Sequence, residues 1–390
     1  MRIDNGQIAS IKKTRLHTAV LCLTHRCNLN CVYCFENKDS GHEMSEKVAF
    51  KCIDRIVITH CKNIEDKISL NLFGGEPLIR FDLIKSIYSY VYERYPEKIS
   101  IFISTNGTLL DDEMKSWFWD RKDRVCLGLS LDGDRVSQNL NRSNSFDLID
   151  IAFFAKTWPN QSFKMTVSEQ SVENYAHDVM FIHSFGVGIN GGDFCVGAYK
   201  WNDDRYYYTF AQQLKQLIGY YEKHPESKNS LLNLDLAACT VEPFDRKCCG
   251  CGTSISYYET DGKCYPCTFI APMGFCDDDI QKMMQVDFTN PCKFTDQYCK
   301  KHCYLNNICM TCAAENFIQN KSFSIHSKRN CGIKKIIALA VADLESRRII
   351  NLPNLYSNDK IFYTIEAIKK IKELYWTNYR KYFEEEAENL

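Results

Sequence analysis

Three cysteines lie close together near the start of the chain, in the run Cys-Asn-Leu-Asn-Cys-Val-Tyr-Cys. Cys27, Cys31 and Cys34 place three thiolates on one short loop. A cubic four-iron cluster needs four cysteines for full ligation, so three would leave one iron open to a small molecule. A structural zinc site is a weaker interpretation, because it needs four protein ligands and the loop offers no fourth. Buried cysteines that act as small hydrophobes are the third interpretation, which is disfavoured because further site-like loops follow downstream.

Strand-like and helix-like segments alternate over residues 16–240. Near-continuous apolar strands separated by helical stretches predict a parallel sheet covered by helices. Right-handed crossovers curl such a sheet towards a barrel, and six units make an incomplete one. The predicted strands are 17–24, 68–73, 99–104, 125–131, 162–168 and 187–196, and the predicted helices lie near 43–60, 81–94, 110–120, 146–157, 173–185 and 205–224.

Distinctive loops follow the first four predicted strands. In chain order they are the cysteine loop, Gly74-Gly75-Glu76-Pro77, Thr105-Asn106-Gly107 and Ser130-Leu131-Asp132-Gly133. Parallel-sheet enzymes place their chemistry at the C-terminal ends of the strands. We therefore expect these loops to converge on a single site.

The CxxxCxxC spacing, with Tyr33 just before the third cysteine, resembles the signature of the radical SAM family. The resemblance implies an α/β fold with a partial (β/α)6 TIM-like barrel. It also implies that the open iron binds S-adenosylmethionine. One electron from the reduced cluster would cleave the sulfonium and give a 5′-deoxyadenosyl radical that abstracts hydrogen from the substrate.

Further positions match the cofactor pocket of that family. Glycines 74 and 75 would let the backbone approach a ligand closely, and Glu76 is implied to hold the methionine amino group. Tyr33 is implied to pack against the adenine or the cluster, and Ser130 to contact the cofactor. Arg142 is implied to bind the cofactor carboxylate through bidentate geometry, and the alternative is a solvated surface arginine. The sequence assigns no role to Asp132 and no catalytic residue.

Cysteine is unusually abundant: twelve of the 21 cysteines fall between Cys248 and Cys331. In a large chain without a signal sequence, metal ligation explains them better than disulfides. From spacing alone, iron–sulfur and zinc sites are equally suitable. The region resembles the SPASM extension of radical SAM enzymes, which holds two auxiliary [4Fe–4S] clusters. Its central run is CxxxCx5CxxC here, whereas CxxCx5CxxxC is usual in that extension.

The SPASM resemblance implies two sets of cluster ligands. The first would be Cys251, Cys267 and Cys312 with Cys249, for which Cys248 and Cys264 are the alternatives; the second would be Cys299, Cys303, Cys309 and Cys331. The predicted domains are a radical SAM partial barrel at 1–240, a SPASM auxiliary-cluster domain at 241–335 and a C-terminal helical segment at 336–390.

Charge and hydropathy exclude several classes of protein. The formal net charge is −1, with 48 basic and 49 acidic side chains, so neither nucleic acid nor a membrane surface is an expected partner. The N-terminal apolar stretch is too short for a signal peptide, and no run approaches the length of a membrane span. The sequence therefore predicts a cytoplasmic protein.

The whole arrangement resembles the enzymes that modify ribosomally made peptides and the anaerobic sulfatase-maturating enzymes. The latter carry an aspartate directly after the cysteine aligned with Cys267, as a proton acceptor. Here that residue is Thr268, whose hydroxyl lacks useful basicity, although the aspartates at 277–279 are possible substitutes. The position favours oxidative formation of a C–C (cyclophane) or thioether crosslink in a peptide.

The implied partners are a precursor peptide or protein substrate and an electron donor such as flavodoxin or ferredoxin. Because about 16 residues precede the first strand, leader recognition is expected to use the barrel, the cysteine-rich region or a separate protein. Two alternatives stay open. One is formylglycine formation on a sulfatase, and the other is a non-catalytic iron–sulfur or zinc interaction module.

Overall fold

The computed structural model describes residues 16–36, 41–194, 203–272, 274–326 and 331–384. Parallel strands form its centre, and a single bridge between Ser130 and Lys164 connects the fourth strand to the fifth. The six strands are β1 (Leu16–Thr24), β2 (Lys67–Gly74), β3 (Ile99–Thr105), β4 (Val125–Leu129), β5 (Phe163–Val167) and β6 (Ile189–Phe194). The predicted parallel α/β architecture is confirmed, and the last two residues of the sixth predicted strand lie outside the described residues.

Helices alternate with these strands and cover their apolar side. They are α1 (Glu46–His60), α2 (Phe81–Arg94), α3 (Asp112–Trp119), α4 (Arg135–Asn141), α5 (Ile151–Thr157), α6 (Tyr175–His183) and α7 (Asp204–Lys223). α1 shows the local logic: the Ser45 hydroxyl accepts from the Val48 N–H at its start, and Ile53 and Ile56 are fully buried. In β2, buried Ile68, Leu70 and Leu72 alternate with half-buried residues, so only one face of the strand is sealed by helices.

The helix α4 is absent from the sequence prediction. Its buried residues are Ser137, Gln138 and Asn141, all polar. A helix with a polar buried face lacks the apolar periodicity from which helices are predicted. The Asp134 carboxylate caps its first turn by accepting from the backbone N–H groups of Val136 and Ser137. This polar face lies in the site described below.

The cysteine-rich part contributes to the central sheet. β7 (Ile255–Tyr258) pairs in parallel with β1, on the side opposite β2, and β8 (Cys264–Tyr265) pairs antiparallel with β7. The sequence prediction missed both strands because they are short and carry little apolar pattern of their own. The boundary predicted at residue 240 stays a prediction, and the sheet hydrogen bonds cross it.

Five helices follow: α8 (Asp277–Met284), α9 (Gln297–His302), α10 (Ala313–Asn320), α11 (Cys331–Asn351) and α12 (Asn358–Tyr379). A small apolar core lies beneath the cysteine-rich segment, where Phe288, Phe294 and Phe323 pack together. α11 packs against α7 and α12, and most of its first half is buried. None of the helices in the described part of the chain combines the length and apolarity needed to cross a bilayer.

One contact between β1 and β7 makes stability sensitive to pH. His17 Nε2 lies 2.8 Å from Ser256 Oγ, and its ring stacks on that of His60 at 3.4 Å between centroids. Burial, and then His60, lowers the pKa of His17 to about 4. An unfolded histidine titrates near about 6.5, so the folded protein favours the neutral ring.

We therefore expect the stability that neutral His17 contributes to be present above pH 6.5 and to be lost as the pH falls towards 4. His17→Gln should flatten this part of the pH profile of the unfolding free energy, measured by chemical denaturation. His302→Gln, at an exposed histidine, should leave the profile unchanged. Parallel profiles for the wild type and His17→Gln would contradict the expectation.

Candidate functional site

The cysteine loop begins where β1 ends, and its three thiols lie near one another. Cys27 and Cys31 are half-buried and Cys34 is exposed. Burial raises the pKa of Cys31, the nearby Arg142 lowers it, and Asp132, Cys34 and Cys27 add to the increase. Three neighbouring thiols, one of them open to solvent, suit a cluster with an exchangeable fourth position.

The two glycines after β2 allow close contact with the chain entering this loop. A Cβ on Gly74 would lie 2.1 Å from the carbonyl oxygen of Thr24, and one on Gly75 would lie 2.4 Å from that of Arg26. The backbone N–H groups of Gly75 and Glu76 donate to these same two oxygens, both at 2.9 Å. The sequence predicted close approach to a ligand. In the structure, the positions that a Cβ on Gly74 or Gly75 would occupy lie against the backbone of residues 24–26.

Glu76 is 1% exposed, and its carboxylate joins the ends of β2 and β3. Oε1 accepts from the Leu78 N–H at 3.0 Å and the Thr105 hydroxyl at 2.8 Å, and Oε2 accepts from the Asn106 N–H at 2.8 Å. Burial raises the pKa of Glu76 to about 7, against these hydrogen bonds. A carboxylate offers about four acceptor positions, so most are already used. The described partners of Glu76 thus position the loops, and its binding of an ammonium group stays a prediction.

The loop after β3 also holds the cysteine loop. Asn106 Nδ2 donates to Asn28 Oδ1 at 2.9 Å, and Asn28 Nδ2 donates to Thr108 Oγ1 at 2.7 Å. The Thr108 N–H donates to Asn106 Oδ1 at 2.9 Å, which closes the set. The Thr-Asn-Gly run was noted in the sequence without a role. Its role in the structure is to position Asn28, which directly follows Cys27.

Arg142 forms a buried bidentate pair with Asp132. Its Nε and Nη2 donate to the two oxygens of Asp132 at 2.9 and 3.0 Å. Arg142 is 7% exposed and Asp132 is 0% exposed, so the solvated-arginine alternative is wrong. Burial lowers the pKa of Arg142, but Asp132 and Tyr33 outweigh it and raise that pKa overall. The two bonds use one edge of the guanidinium, and binding of the cofactor carboxylate stays a prediction.

Asp132 is the centre of this polar group. It accepts from the Tyr33 hydroxyl at 2.5 Å and from the Thr166 N–H at 2.9 Å. The Tyr33 ring also lies 5.3 Å from the Arg142 guanidinium carbon. Ser130, which is 9% exposed, lies directly after β4, and its N–H donates to the carbonyl oxygen of Thr105. The four predicted loops therefore meet at one edge of the sheet, whereas contact of Tyr33 and Ser130 with the cofactor stays a prediction.

A second buried polar group was missed in the sequence. His25 interacts with Glu36 through Nδ1 and with Glu259 through Nε2, the latter at 2.7 Å. Cys22 Sγ lies 4.0 Å from both ring nitrogens, and Cys22, Glu259 and Glu36, in that order, raise the pKa of His25 to about 12. Because both nitrogens face carboxylates, an imidazolium suits the group better than a metal-bound ring. No local pattern predicts a contact between residues 234 positions apart.

Four thiols come together as the first auxiliary set: Cys249, Cys251, Cys267 and Cys312. The thiol of Cys251 interacts with those of Cys249 and Cys267, which raises the pKa of Cys251 and lowers the pKa values of its two neighbours. Burial raises the pKa of Cys312 to about 12, and Cys267 and Cys249 also raise it. Cys264 instead lies beside Tyr258. Among the alternatives for the fourth ligand, the structure thus places Cys249 with this set.

The second auxiliary set consists of Cys299, Cys303, Cys309 and Cys331. Burial and Asp296 raise the pKa of Cys299 to about 12, and the other three thiols of the set add to the increase. Cys248 is a fifth thiol nearby, with its Sγ 3.5 Å from the carbonyl oxygen of Cys309. Both sets contain four cysteines, which is the number that a fully ligated cubic cluster requires.

The segment 246–251 runs between the two sets and alternates between them. Arg246 donates to the carbonyl oxygens of Asn307 at 2.6 Å and Cys309 at 2.5 Å. Lys247 Nζ donates to the carbonyl oxygen of Cys251 at 2.5 Å. Arg246 and Cys248 thus face the second set, whereas Lys247, Cys249 and Cys251 belong to the side of the first. The segment thus brings a cation beside each set, which is favourable beside clustered thiolates.

An aromatic contact joins the cysteine loop to the first auxiliary set. Phe35, directly after Cys34, packs on Phe269 with 4.7 Å between ring centroids. Phe269 follows Cys267 by two positions, and Thr268 lies between them, half-buried. The aspartates at 277–279 begin α8, where Asp279 pairs with Lys321 at 3.0 Å.

Part of the chain is similar in sequence to known proteins. Residues 21–152 match the model of the radical SAM superfamily. An uncharacterised protein of Methanocaldococcus jannaschii is 29% identical over 176 residues, which cover 43% of this chain and 59% of that protein. GTP 3′,8-cyclase of Clostridium perfringens (strain 13) is 34% identical over 135 residues, which cover 33% and 39%. The radical SAM cyclopropyl synthase TigE of Paramaledivibacter caminithermalis is 26% identical over 158 residues, which cover 37% and 31%. The chain thus spans less than two thirds of the length of each of these relatives.

Two solved structures have a similar fold. The structure of anSMEcpe, an anaerobic sulfatase-maturating enzyme, with bound AdoMet has a TM-score of 0.66 at 19% identity and covers 91% of this chain and 98% of that one. SuiB of Streptococcus suis, bound to the precursor peptide SuiA, has a TM-score of 0.52 at 16% identity and covers 81% and 76%. At these identities the likeness concerns the fold alone, and it confirms the predicted radical SAM barrel.

The close contact of Gly75 with Arg26 predicts that one added methyl group disrupts the cysteine loop. Gly75→Ala should displace the cysteine loop, because the new Cβ would overlap the Arg26 carbonyl. We expect the anaerobically reconstituted variant to lose the iron held at this loop and with it the cleavage of S-adenosylmethionine. Gly219→Ala, whose Cβ would have no neighbour within 4 Å, is the matched control. Full iron content in Gly75→Ala would refute this role.

The buried ion pair predicts a large loss of stability when it is broken. Arg142→Met leaves the Asp132 charge without its main partner, so we expect the unfolding free energy to fall by about 3–5 kcal/mol. Arg135→Met, which removes an exposed arginine paired with exposed Asp147, should cost less than about 1 kcal/mol. Urea denaturation of both variants measures the difference. Equal losses would show that Asp132 does not depend on Arg142.

Proposed function

The chain contains a radical SAM domain, and on that premise we propose that it is an enzyme that oxidatively modifies a ribosomally made peptide. The product proposed is a C–C (cyclophane) or thioether crosslink. The observation that carries the proposal is the arrangement of three groups of cysteines. A three-cysteine loop lies beside one four-cysteine set, through the contact of Phe35 with Phe269, and a second four-cysteine set lies beyond it.

The radical SAM family uses a [4Fe–4S] cluster and S-adenosylmethionine. The thiols of Cys27, Cys31 and Cys34 suit that cluster. A cluster held by these thiols would supply the electron that cleaves the sulfonium, and clusters held by the two auxiliary sets would supply a sink for the electron that an oxidised substrate releases. The residues around the loop have a different task. The glycines after β2 and the buried Asp132–Arg142 pair hold the loop in position.

The two auxiliary sets support an oxidative reaction. Four thiolates around a cluster leave no iron open, which suits transfer of electrons better than binding of substrate. A crosslink removes two hydrogens from the peptide. One would leave as a hydrogen atom, and the other would leave as a proton together with one electron. A chain with two such sets has the capacity to take up that electron.

The position after Cys267 favours crosslinking over formylglycine formation. Thr268 has a hydroxyl where a carboxylate would be needed as a proton acceptor. Asp279 is engaged with Lys321, which makes it a poor substitute. A precursor peptide and an electron donor such as flavodoxin or ferredoxin are the proposed partners. SuiB, which has a similar fold, is itself seen with its precursor peptide.

The proposal predicts both cofactor content and chemistry. The anaerobically reconstituted protein should hold about twelve irons per chain, for three four-iron clusters, and should form 5′-deoxyadenosine from S-adenosylmethionine and dithionite. Cys251→Ala should lower the iron content by about four while 5′-deoxyadenosine still forms, because it affects only the first auxiliary set. A co-expressed candidate peptide should lose about two mass units for each crosslink, since two hydrogens leave.

Each measurement has an outcome that would overturn one part of the proposal. Absence of 5′-deoxyadenosine above background would refute the radical enzyme and favour the non-catalytic binding module. An iron content of about four would remove the auxiliary clusters. An unchanged peptide mass would indicate epimerisation, and conversion of a cysteine or serine in a sulfatase peptide to formylglycine would establish the alternative activity.

A further inference from the structure

A tyrosine of the C-terminal helix α12 contacts the second auxiliary set. The Tyr375 hydroxyl lies 3.8 Å from the Sγ of Cys303, within hydrogen-bonding range for sulfur. Tyr375 is 9% exposed, so water competes little for this contact. The pair is separated by 72 positions, and the helix that carries Tyr375 lies beyond the cysteine-rich segment altogether.

The direction of this hydrogen bond follows from chemistry. A cysteine that ligates iron is a thiolate and has no proton to donate, so the phenol must be the donor. A phenol carries its proton near neutral pH, so Tyr375 has the hydrogen that a thiolate lacks. The phenol hydroxyl is therefore the donor in its contact with Cys303.

The surroundings of Tyr375 strengthen it as a donor. Lys335 Nζ lies 5.4 Å from the centroid of the Tyr375 ring and 5.6 Å from that of Tyr379. A cation over the face of a phenol is attracted to the ring and makes its hydroxyl more acidic. Lys335 belongs to α11, whose first residue is Cys331, another member of the second auxiliary set. The same pair of helices thus supplies a thiol, a cation and a phenol.

We propose that Tyr375 raises the reduction potential of an iron–sulfur cluster held by the second auxiliary set, by donating a hydrogen bond to Cys303. Hydrogen bonds to the sulfurs are among the factors that set the potential of such clusters, because they stabilise the more negative, reduced form. A higher potential makes this cluster a better electron acceptor than it would be without the hydrogen bond. Tyr375 acts through the cluster and touches neither peptide nor S-adenosylmethionine. The inference rests on the proposed function for the presence of that cluster.

The test compares two phenol deletions on one helix. Tyr375→Phe removes the hydroxyl at Cys303. Tyr379→Phe removes a hydroxyl one helical turn away, from a ring that lies beside those of Tyr207 and Tyr382. Both are made in a chain whose Cys27, Cys31 and Cys34 are alanine, so that only the auxiliary clusters contribute to the EPR signal. Redox titration should show one of the two midpoint potentials moving to a more negative value in Tyr375→Phe, and neither moving in Tyr379→Phe.

A second replacement reverses the sign. 3-Fluorotyrosine at position 375 keeps the shape of the residue and makes the hydroxyl more acidic, so the same midpoint should move to a more positive value. The 3-fluorotyrosine variant tests the role of the hydrogen bond even if Tyr375→Phe fails to retain its cluster. If a variant at position 375 keeps its full auxiliary iron content and both midpoint potentials are unchanged, the inference is overturned. The proposed function would then stay intact. An unsubstituted protein without auxiliary EPR signals would instead refute the auxiliary clusters.

Discussion

The buried carboxylate of Asp132 is the constraint on which the site depends. A charge with no solvent exposure is costly unless it is paired and hydrogen-bonded, and Arg142 supplies both in one bidentate contact. Asp132 also accepts from the Asn141 side chain in α4, the Tyr33 hydroxyl in the cysteine loop and the Thr166 N–H in β5. Satisfying this one charge therefore fixes the positions of the loop, the end of β4, the end of α4 and β5 relative to one another.

The cysteine loop is held from two further sides. Backbone hydrogen bonds from Gly75 and Glu76 fix its entry from β1. The ion pairs of His25 with Glu36 and Glu259 fix its exit to the strand that the cysteine-rich segment adds beside β1. The sheet and the cysteine-rich segment thus share one polar boundary. A loop that must present three thiols in fixed geometry gains its rigidity from neighbours that are themselves buried and bonded.

The short segment 246–251 directs neighbouring residues towards different cysteine sets. Between residues 246 and 251, Cys248 lies towards Cys309, and Cys249 lies towards Cys251 and Cys267. Two neighbouring cysteines therefore lie beside different sets. The cations beside them, Arg246 and Lys247, divide in the same way.

The sequence by itself determined the alternation of strands and helices and the edge of the sheet at which the site lies. Both follow from local hydrophobic periodicity and from the chirality of parallel crossovers, which act over short stretches of chain. The same rules placed the cysteine loop and the Gly74–Glu76 run side by side. They failed at α4, because its buried face is polar, and at the short β7, because four residues carry too little pattern.

Only the tertiary structure decided the partners of the charged and sulfur-bearing side chains. It bound Arg142 to Asp132, turned Glu76 towards Thr105 and Asn106, and brought Tyr375 to Cys303. It also placed Cys249 beside Cys251 and its neighbour Cys248 beside Cys309, whereas ligation by Cys249 stays a prediction. These contacts join residues far apart in the chain and have no periodic signature. Desolvation requires that each buried charge or thiol find a partner, and the fold alone determines which partner is within reach.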